Sequence, residues 1–154
     1  MRVGEAAARA LAVLHAGPPA VPGPVQAMEG ILPGLAGGGG CEQDAVAVHG
    51  DYGLGNLLWG GRTRPPLAVL DPWPAPFLGG LSARGRAPAL IDLALFVASL
   101  EGIHPLWRWR PGGGHRARVC REAFLDAYAR ARGRPVDRAA VLRAAAATLR
   151  VYAA

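Results

Sequence analysis

The residues best suited to chemistry stand close together: His49-Gly50-Asp51-Tyr52-Gly53-Leu54-Gly55-Asn56, followed by Val69-Leu70-Asp71-Pro72. An Asp, four intervening residues and an Asn, set between short apolar runs, is the spacing of a phosphoryl-transfer catalytic loop. The chemistry accounts for the residue types. A carboxylate beside an acceptor hydroxyl orients it and takes its proton. An uncharged amide oxygen five positions on can ligate a hard Mg²⁺ without adding repulsion, and a second carboxylate on a neighbouring strand end can bridge that metal to nucleotide phosphates. Composition alone yields His-Gly-Asp-x4-Asn in roughly one such sequence in ten thousand. Asn56 is the only asparagine of the chain; a plain turn role is the alternative, but any of the 22 glycines would serve a turn as well.

Other constellations carry less. Cys41 and Cys120 form no CxxC pair, so a disulfide framework is not expected and a reducing compartment is the default. Neither His115 with Cys120 nor Cys41 with His49 has the spacing of a four-ligand zinc site. No Ser or Cys stands where Asp51 and a histidine could activate it for covalent hydrolysis. The run Gly37 to Gly40 lacks the Lys-Ser/Thr of a phosphate loop and reads as a connector. Trp107-Arg108-Trp109-Arg110 with Arg116, Arg118 and Arg121 has the interleaving of a nucleic-acid patch. The plainer reading is a loop whose tryptophans cap the core while its arginines are solvated.

The elements that must position these groups follow from patterning. Residues 4–16 are Ala-rich and stopped by Gly17-Pro18, which predicts a helix. Residues 17–44 form a Gly/Pro-rich connector with a weak possible helix at Val25 to Leu32. Ala45 to Val48, Leu57 to Trp59 and Leu67 to Leu70 read as short strands, the last two joined through Gly60-Gly61. Ala89 to Glu101 is apolar on nearly every face and reads as a buried helix, which places Asp92 inside. A loop over 102–115 precedes two amphipathic helices within 116–154. The first sets Cys120, Phe124, Tyr128 and Ala131 on one face. The second, after Pro135, takes Asp137 as N-cap and sets Leu142, Ala145, Leu149 and Tyr152 on one stripe. The expected class is α+β with helices dominant, in a single domain over 1–154 whose core of interest is 45–101.

With these motifs the chain resembles the aminoglycoside phosphotransferase and choline kinase group of small-molecule kinases. The resemblance rests on His49-Gly50-Asp51…Asn56, Ala68-Val69-Leu70-Asp71 and Ile91-Asp92-Leu93-Ala94. It is supported by the opening helix ending Val13-Leu14-His15-Ala16 and by the stretch Phe124 to Asp137. It spans most of residues 5–150 and is most specific over 45–96. It implies a protein-kinase-like C-terminal lobe, with Asp51 as catalytic base and Asn56 and Asp71 as Mg²⁺ ligands. Asp92 would brace the catalytic loop from within, and His49 would be structural in that loop. The implied reaction moves the γ-phosphoryl group of ATP, or of another nucleoside triphosphate, to a hydroxyl of a small molecule.

The family also uses an N-lobe whose glycine-rich loop and lysine grip the α- and β-phosphates. All 17 basic residues here are Arg, so no such lysine exists in this chain. The expectation is therefore a C-lobe with its N-lobe absent, inactive alone or served by a separate N-lobe chain. A non-catalytic kinase-like binding module, or remnant, is the alternative. A basic nucleic-acid-binding domain is the weaker one.

Charge bears on the acceptor. The chain carries 11 acids against 17 arginines, for a net charge of +6, which disfavours a polycationic aminoglycoside and favours a neutral or weakly charged hydroxyl compound. At 51% apolar and 18% charged residues, it is not an acidic disordered chain. The first 16 residues lack the apolar core of a signal peptide, and Ala87 to Leu100 is too short to cross a bilayer. A cytoplasmic protein with no membrane partner is expected.

Overall fold

A computed structural model describes residues 3–18, 45–60, 67–70, 86–103 and 112–153. The elements are α1 (Val3–Ala16), β1 (Ala45–Ala47), a single 3-10 turn (Leu54–Asn56), β2 (Leu57–Trp59), β3 (Leu67–Val69) and β4 (Arg86–Pro88). They are followed by α2 (Leu90–Ala98), which continues as one π-type turn (Ser99–Ile103), then α3 (Gly113–Arg132) and α4 (Arg138–Ala153). The chain is α+β and mostly helical, as its patterning predicts. No helix among the described residues is long and apolar enough to cross a membrane. The connector expected over 17–44, its weak helix, the Trp107–Trp109 loop and Cys41 lie outside the described residues, apart from Gly17 and Pro18.

Helices build the core, and two short hairpin-like pairs sit against it. The central element is α2, in which every residue from Ile91 to Ala98 is buried, as are Ser99 and Leu100 of the turn that continues it. Such a helix has no polar face because it has no face toward water. It packs along α4, while α1 packs along α3. Phe96 of α2 stacks on Phe124 of α3 with ring centroids 4.0 Å apart. Tyr52 joins the same aromatic string, 6.0 Å from Phe96 on one side and 5.6 Å from His49 on the other. The apolar core thus reaches directly to the loop at 49–56.

The α1–α3 crossing depends on one small residue. A Cβ at Gly4 would stand 2.9 Å from the Cys120 carbonyl oxygen and 3.0 Å from its sulfur. Gly4 is therefore what lets the two backbones approach, and a glycine costs the first turn of α1 little.

The strands form two antiparallel pairs. β2 pairs with β3 in the register Leu57↔Val69, Leu58↔Ala68, Trp59↔Leu67, as the two apolar runs predict. β1 pairs instead with β4, Ala45 opposite Pro88 and Ala47 opposite Arg86. β4 is not legible beforehand: Arg86-Ala87-Pro88 has no apolar alternation, and proline lacks the N–H a ladder uses.

Three expectations need correction. Both ends of the stretch expected as a loop over 102–115 are helical, since 102–103 finish the π-type turn and α3 already begins at Gly113. Gly113 and Gly114 are poor helix formers, so propensity reads them as loop, whereas the buried position of Gly113 shows that packing decides. On α4 the inward residues are Val141, Ala144, Ala145 and Thr148, while Leu142 stands 36% exposed. The stripe is rotated by about one residue from the Leu142–Leu149 line, since a helix rich in alanine presents several faces of nearly equal apolarity. The side chain of Tyr152 lies outside the described residues. On α3, Phe124 and Tyr128 face inward as expected, joined by Ala117, Leu125 and Ala127, whereas Ala131 faces water.

Asp137 caps α4 as its position predicts: its Oδ1 accepts the Ala140 N–H at 2.9 Å. Asp137→Ala is expected to lower stability by about 1 kcal/mol, read as the shift in urea midpoint at unchanged m-value. A change below about 0.3 kcal/mol would mean that the helix start is held by packing alone.

Candidate active site

The loop after β1 turns sharply at Gly50, whose φ of 82° is one that side-chain-bearing residues rarely adopt. That turn aims two successive backbone N–H groups, from His49 and Gly50, at a single carboxylate. Asp92, in the first turn of α2 and wholly buried, accepts them at 2.7 Å and 2.8 Å. Its Oδ2 also accepts Nε2–H of His15, at the end of α1, at 3.0 Å. A buried carboxylate needs donors to replace water, and these three supply them. With Nε2 donating, His15 Nδ1 is the acceptor for the Tyr128 hydroxyl of α3 at 2.6 Å.

His49 itself is structural. Its Nδ1 accepts the Asp51 N–H at 3.3 Å and its Nε2 donates to the Leu70 carbonyl at 3.1 Å. The Leu70 N–H in turn donates to the Asn56 carbonyl at 2.8 Å. Leu70, the residue before Asp71 in the chain, is therefore fastened on both sides of its backbone to the 49–56 loop. Asp71 lies outside the described residues.

Asp51 and Asn56 meet. The Asn56 Nδ2 donates to the Asp51 carbonyl at 2.9 Å and to its carboxylate Oδ2 at 2.8 Å. The same carbonyl accepts the Gly53 N–H at 2.9 Å, closing a tight turn over Tyr52. Both side chains are half-buried, so the pair sits at the surface edge of the loop with water within reach. The asparagine's amide nitrogen is committed to Asp51, and its Oδ1 takes no part in these bonds. A neutral oxygen of this kind fits a hard cation such as Mg²⁺. Among the described residues no group of three or more His, Cys, Asp or Glu is placed to hold a metal. Of the two Mg²⁺ ligands that the resemblance implies, Asn56 is in this loop and Asp71 lies outside the described residues.

Two contacts of this network have no local signal in the sequence. Ser99 Oγ accepts the Leu54 N–H at 3.1 Å and donates to the Phe96 carbonyl at 2.7 Å. It ties the 3-10 turn carrying Asn56 to the point where α2 widens into its π-type turn. Nothing in its sequence neighbourhood signals this role. Tyr128 was legible only as a core residue of α3, and its hydroxyl contact depends on a partner 113 residues away.

The buried Tyr52 donates to the Ala7 carbonyl at 2.6 Å. Burial, and secondarily the charge of Asp92, pushes its phenol far above the ordinary value of 10.0. The folded protein therefore holds this proton where the unfolded chain would release it. The stability contributed by the neutral phenol is complete below pH 10 and declines as pH rises beyond it. Tyr52→Phe is expected to flatten this alkaline decline while costing about 1 kcal/mol at neutral pH, measured by denaturant unfolding between pH 7 and 11. An unchanged slope would assign the decline to other groups.

Acids pair with Arg121 of α3 and with Arg138 at the start of α4. Arg121 bonds Glu122 at 2.9 Å and also pairs with Glu101, while Arg138 pairs with Glu122 and Asp126. Burial pulls the Arg121 guanidinium down, but the hydrogen bonds to Glu122 and Glu101 and their charges outweigh it and hold it above its ordinary value. These interleaved acids dilute the patch that a nucleic-acid backbone would need. Cys120 is a free thiol, half-buried against Gly4, and burial raises it above the usual thiol range, which leaves it a poor nucleophile.

No family model matches this sequence, and no curated protein matches it.

Proposed function

We propose that this chain is the C-terminal lobe of a kinase-like small-molecule phosphotransferase, acting on a neutral or weakly charged hydroxyl compound. The observation that carries the reading is the Asp51–Asn56 pair. Two residue types suited to phosphoryl transfer are held at 2.8 Å by a loop that is itself fastened to a buried carboxylate. Asn56 occupies one oxygen of Asp51, fixing its rotation, and the other oxygen is left to accept the proton of an incoming hydroxyl. The Asn56 Oδ1 and the Asp71 carboxylate would hold Mg²⁺, which when bound supplies charge neutralisation at the transferring phosphoryl group. The His49 side chain and the Asn56 carbonyl hold the backbone of Leu70, the residue before Asp71, against the loop.

A non-catalytic module on the same scaffold is favoured by one observation, the absence of any lysine among 154 residues. The grip on the α- and β-phosphates that the resemblance assigns to a lysine would have to come from residues other than these 154. Calorimetric titration with Mg²⁺-ATP separates the readings. Binding at millimolar nucleotide that weakens about tenfold or more in Asp71→Ala supports a working site. No binding, or binding indifferent to Asp71→Ala, overturns it.

A further inference from the structure

One side chain of helix α3 takes part in a buried chain of hydrogen bonds that ends at the 49–56 loop. The Tyr128 hydroxyl reaches His15 Nδ1 at 2.6 Å, His15 Nε2 reaches Asp92 Oδ2 at 3.0 Å, and Asp92 receives the N–H groups of His49 and Gly50 at 2.7 and 2.8 Å. All three relay side chains are buried: Tyr128 is 2% exposed, His15 4% and Asp92 0%. The Tyr128 and His15 rings also meet edge to face, at 82° and 5.6 Å.

We propose that Tyr128 is a positioning residue for Asp51, acting through His15 and Asp92. The inference rests on the phosphotransferase reading only for its catalytic consequence. Its structural half stands on geometry alone. An imidazole carries two nitrogens, and which one bears hydrogen is set by what the other meets. The carboxylate at Nε2 requires the hydrogen there, and the Tyr128 hydroxyl, donating to Nδ1, holds the ring in that tautomer and orientation. The His15 donation then turns Oδ2 toward the His49 N–H, and Oδ1 is left directed at Gly50. The next residue is Asp51. Without the hydroxyl, Nδ1 is left buried with no donor and the ring loses the bond that orients it, so the Nε2–H contact that sets the rotation of Asp92 weakens. In a low-dielectric interior, where each bond polarises the next, such a loss propagates along the chain of contacts.

The test uses Tyr128→Phe, which keeps the ring and removes only the hydroxyl. Thr148→Val serves as a control, since it removes a buried hydroxyl whose hydrogen bond, to the Ala144 carbonyl, lies within α4. Amide NMR is the first readout. In Tyr128→Phe the His49 and Gly50 N–H resonances should move, and their hydrogen exchange should quicken about tenfold relative to the control at matched global stability. His15→Gln offers a second variant: its amide can donate to Asp92 and accept from Tyr128, so it should retain much of the wild-type exchange protection. Where Mg²⁺-ATP turnover is measurable, Tyr128→Phe should lower kcat about tenfold and leave KM for nucleotide within about twofold.

Unchanged His49 and Gly50 amides in Tyr128→Phe overturn the proposal whatever the turnover shows. A fall in protection that is equal in the Thr148→Val control does the same, because it marks general loosening. Absence of nucleotide binding in the wild type overturns the phosphotransferase reading and leaves the positioning claim to be decided by the amides.

Discussion

Asp92→Ala is expected to lower the stability of this protein by about 3–5 kcal/mol, the range for breaking a buried, fully partnered charge. The reason is what remains after the carboxylate is gone. The N–H groups of His49 and Gly50 and the Nε2–H of His15 would all stay in a dry interior with no acceptor. Each such orphan costs on the order of 1–3 kcal/mol, and a water-sized void cannot serve all three from one position. Asp92→Asn should be milder, at roughly 2 kcal/mol, because one oxygen survives while the new amide N–H₂ confronts a backbone donor. Denaturant melts of the two variants check the order Ala below Asn below wild type. A loss under about 1 kcal/mol in Asp92→Ala would show that the loop holds its turn without the carboxylate.

Asp51→Asn is expected to separate function from stability in the opposite sense. The new amide oxygen can still accept the Asn56 Nδ2, so the contact now made at 2.8 Å persists, and stability should stay within about 0.5 kcal/mol. What disappears is the basic oxygen. If the phosphotransferase reading holds, γ-phosphoryl transfer to small neutral alcohols should fall by about 10²–10⁴-fold with nucleotide affinity nearly unchanged. Equal turnover in the variant would remove Asp51 from the chemistry. Together the two substitutions set apart the group that holds the loop from the group that the loop holds.

The legibility of the site follows sequence distance. Asp51 and Asn56 are five residues apart, and a short loop between strands has few ways to keep them from meeting. Asp92 was legible as a buried acid from the apolar residues on both sides of it, although its donors were not. His15 lies 77 residues from Asp92, and its ring could equally have faced water at the end of an alanine-rich helix. Nothing local distinguishes those outcomes. Ser99 is similar: it reads as an ordinary small residue near a helix end, and its bond to Leu54 exists only because α2 is packed under the loop.

The same division runs through the fold. Apolar runs at 57–59 and 67–70 specify a hairpin because its register needs only neighbours and a turn. The β1–β4 pair needs segments about forty residues apart, and Arg86-Ala87-Pro88 gains its partner from position rather than composition. Alanine-rich α4 shows the limit from another side, since where several faces are equally apolar, only the helices already in place decide which turns inward.

By itself, then, the sequence determined the helix-dominated class, the loop with its Asp and Asn, the buried setting of Asp92, and the lack of any lysine for gripping phosphate. These follow from residue chemistry and short-range spacing. The tertiary structure alone decided which donors surround Asp92, that Asn56 turns its nitrogen to Asp51 and leaves its oxygen out of that contact, and that α3 is linked to the loop through His15. Such contacts are made between distant segments, where direction and distance are set by packing and no local pattern encodes them.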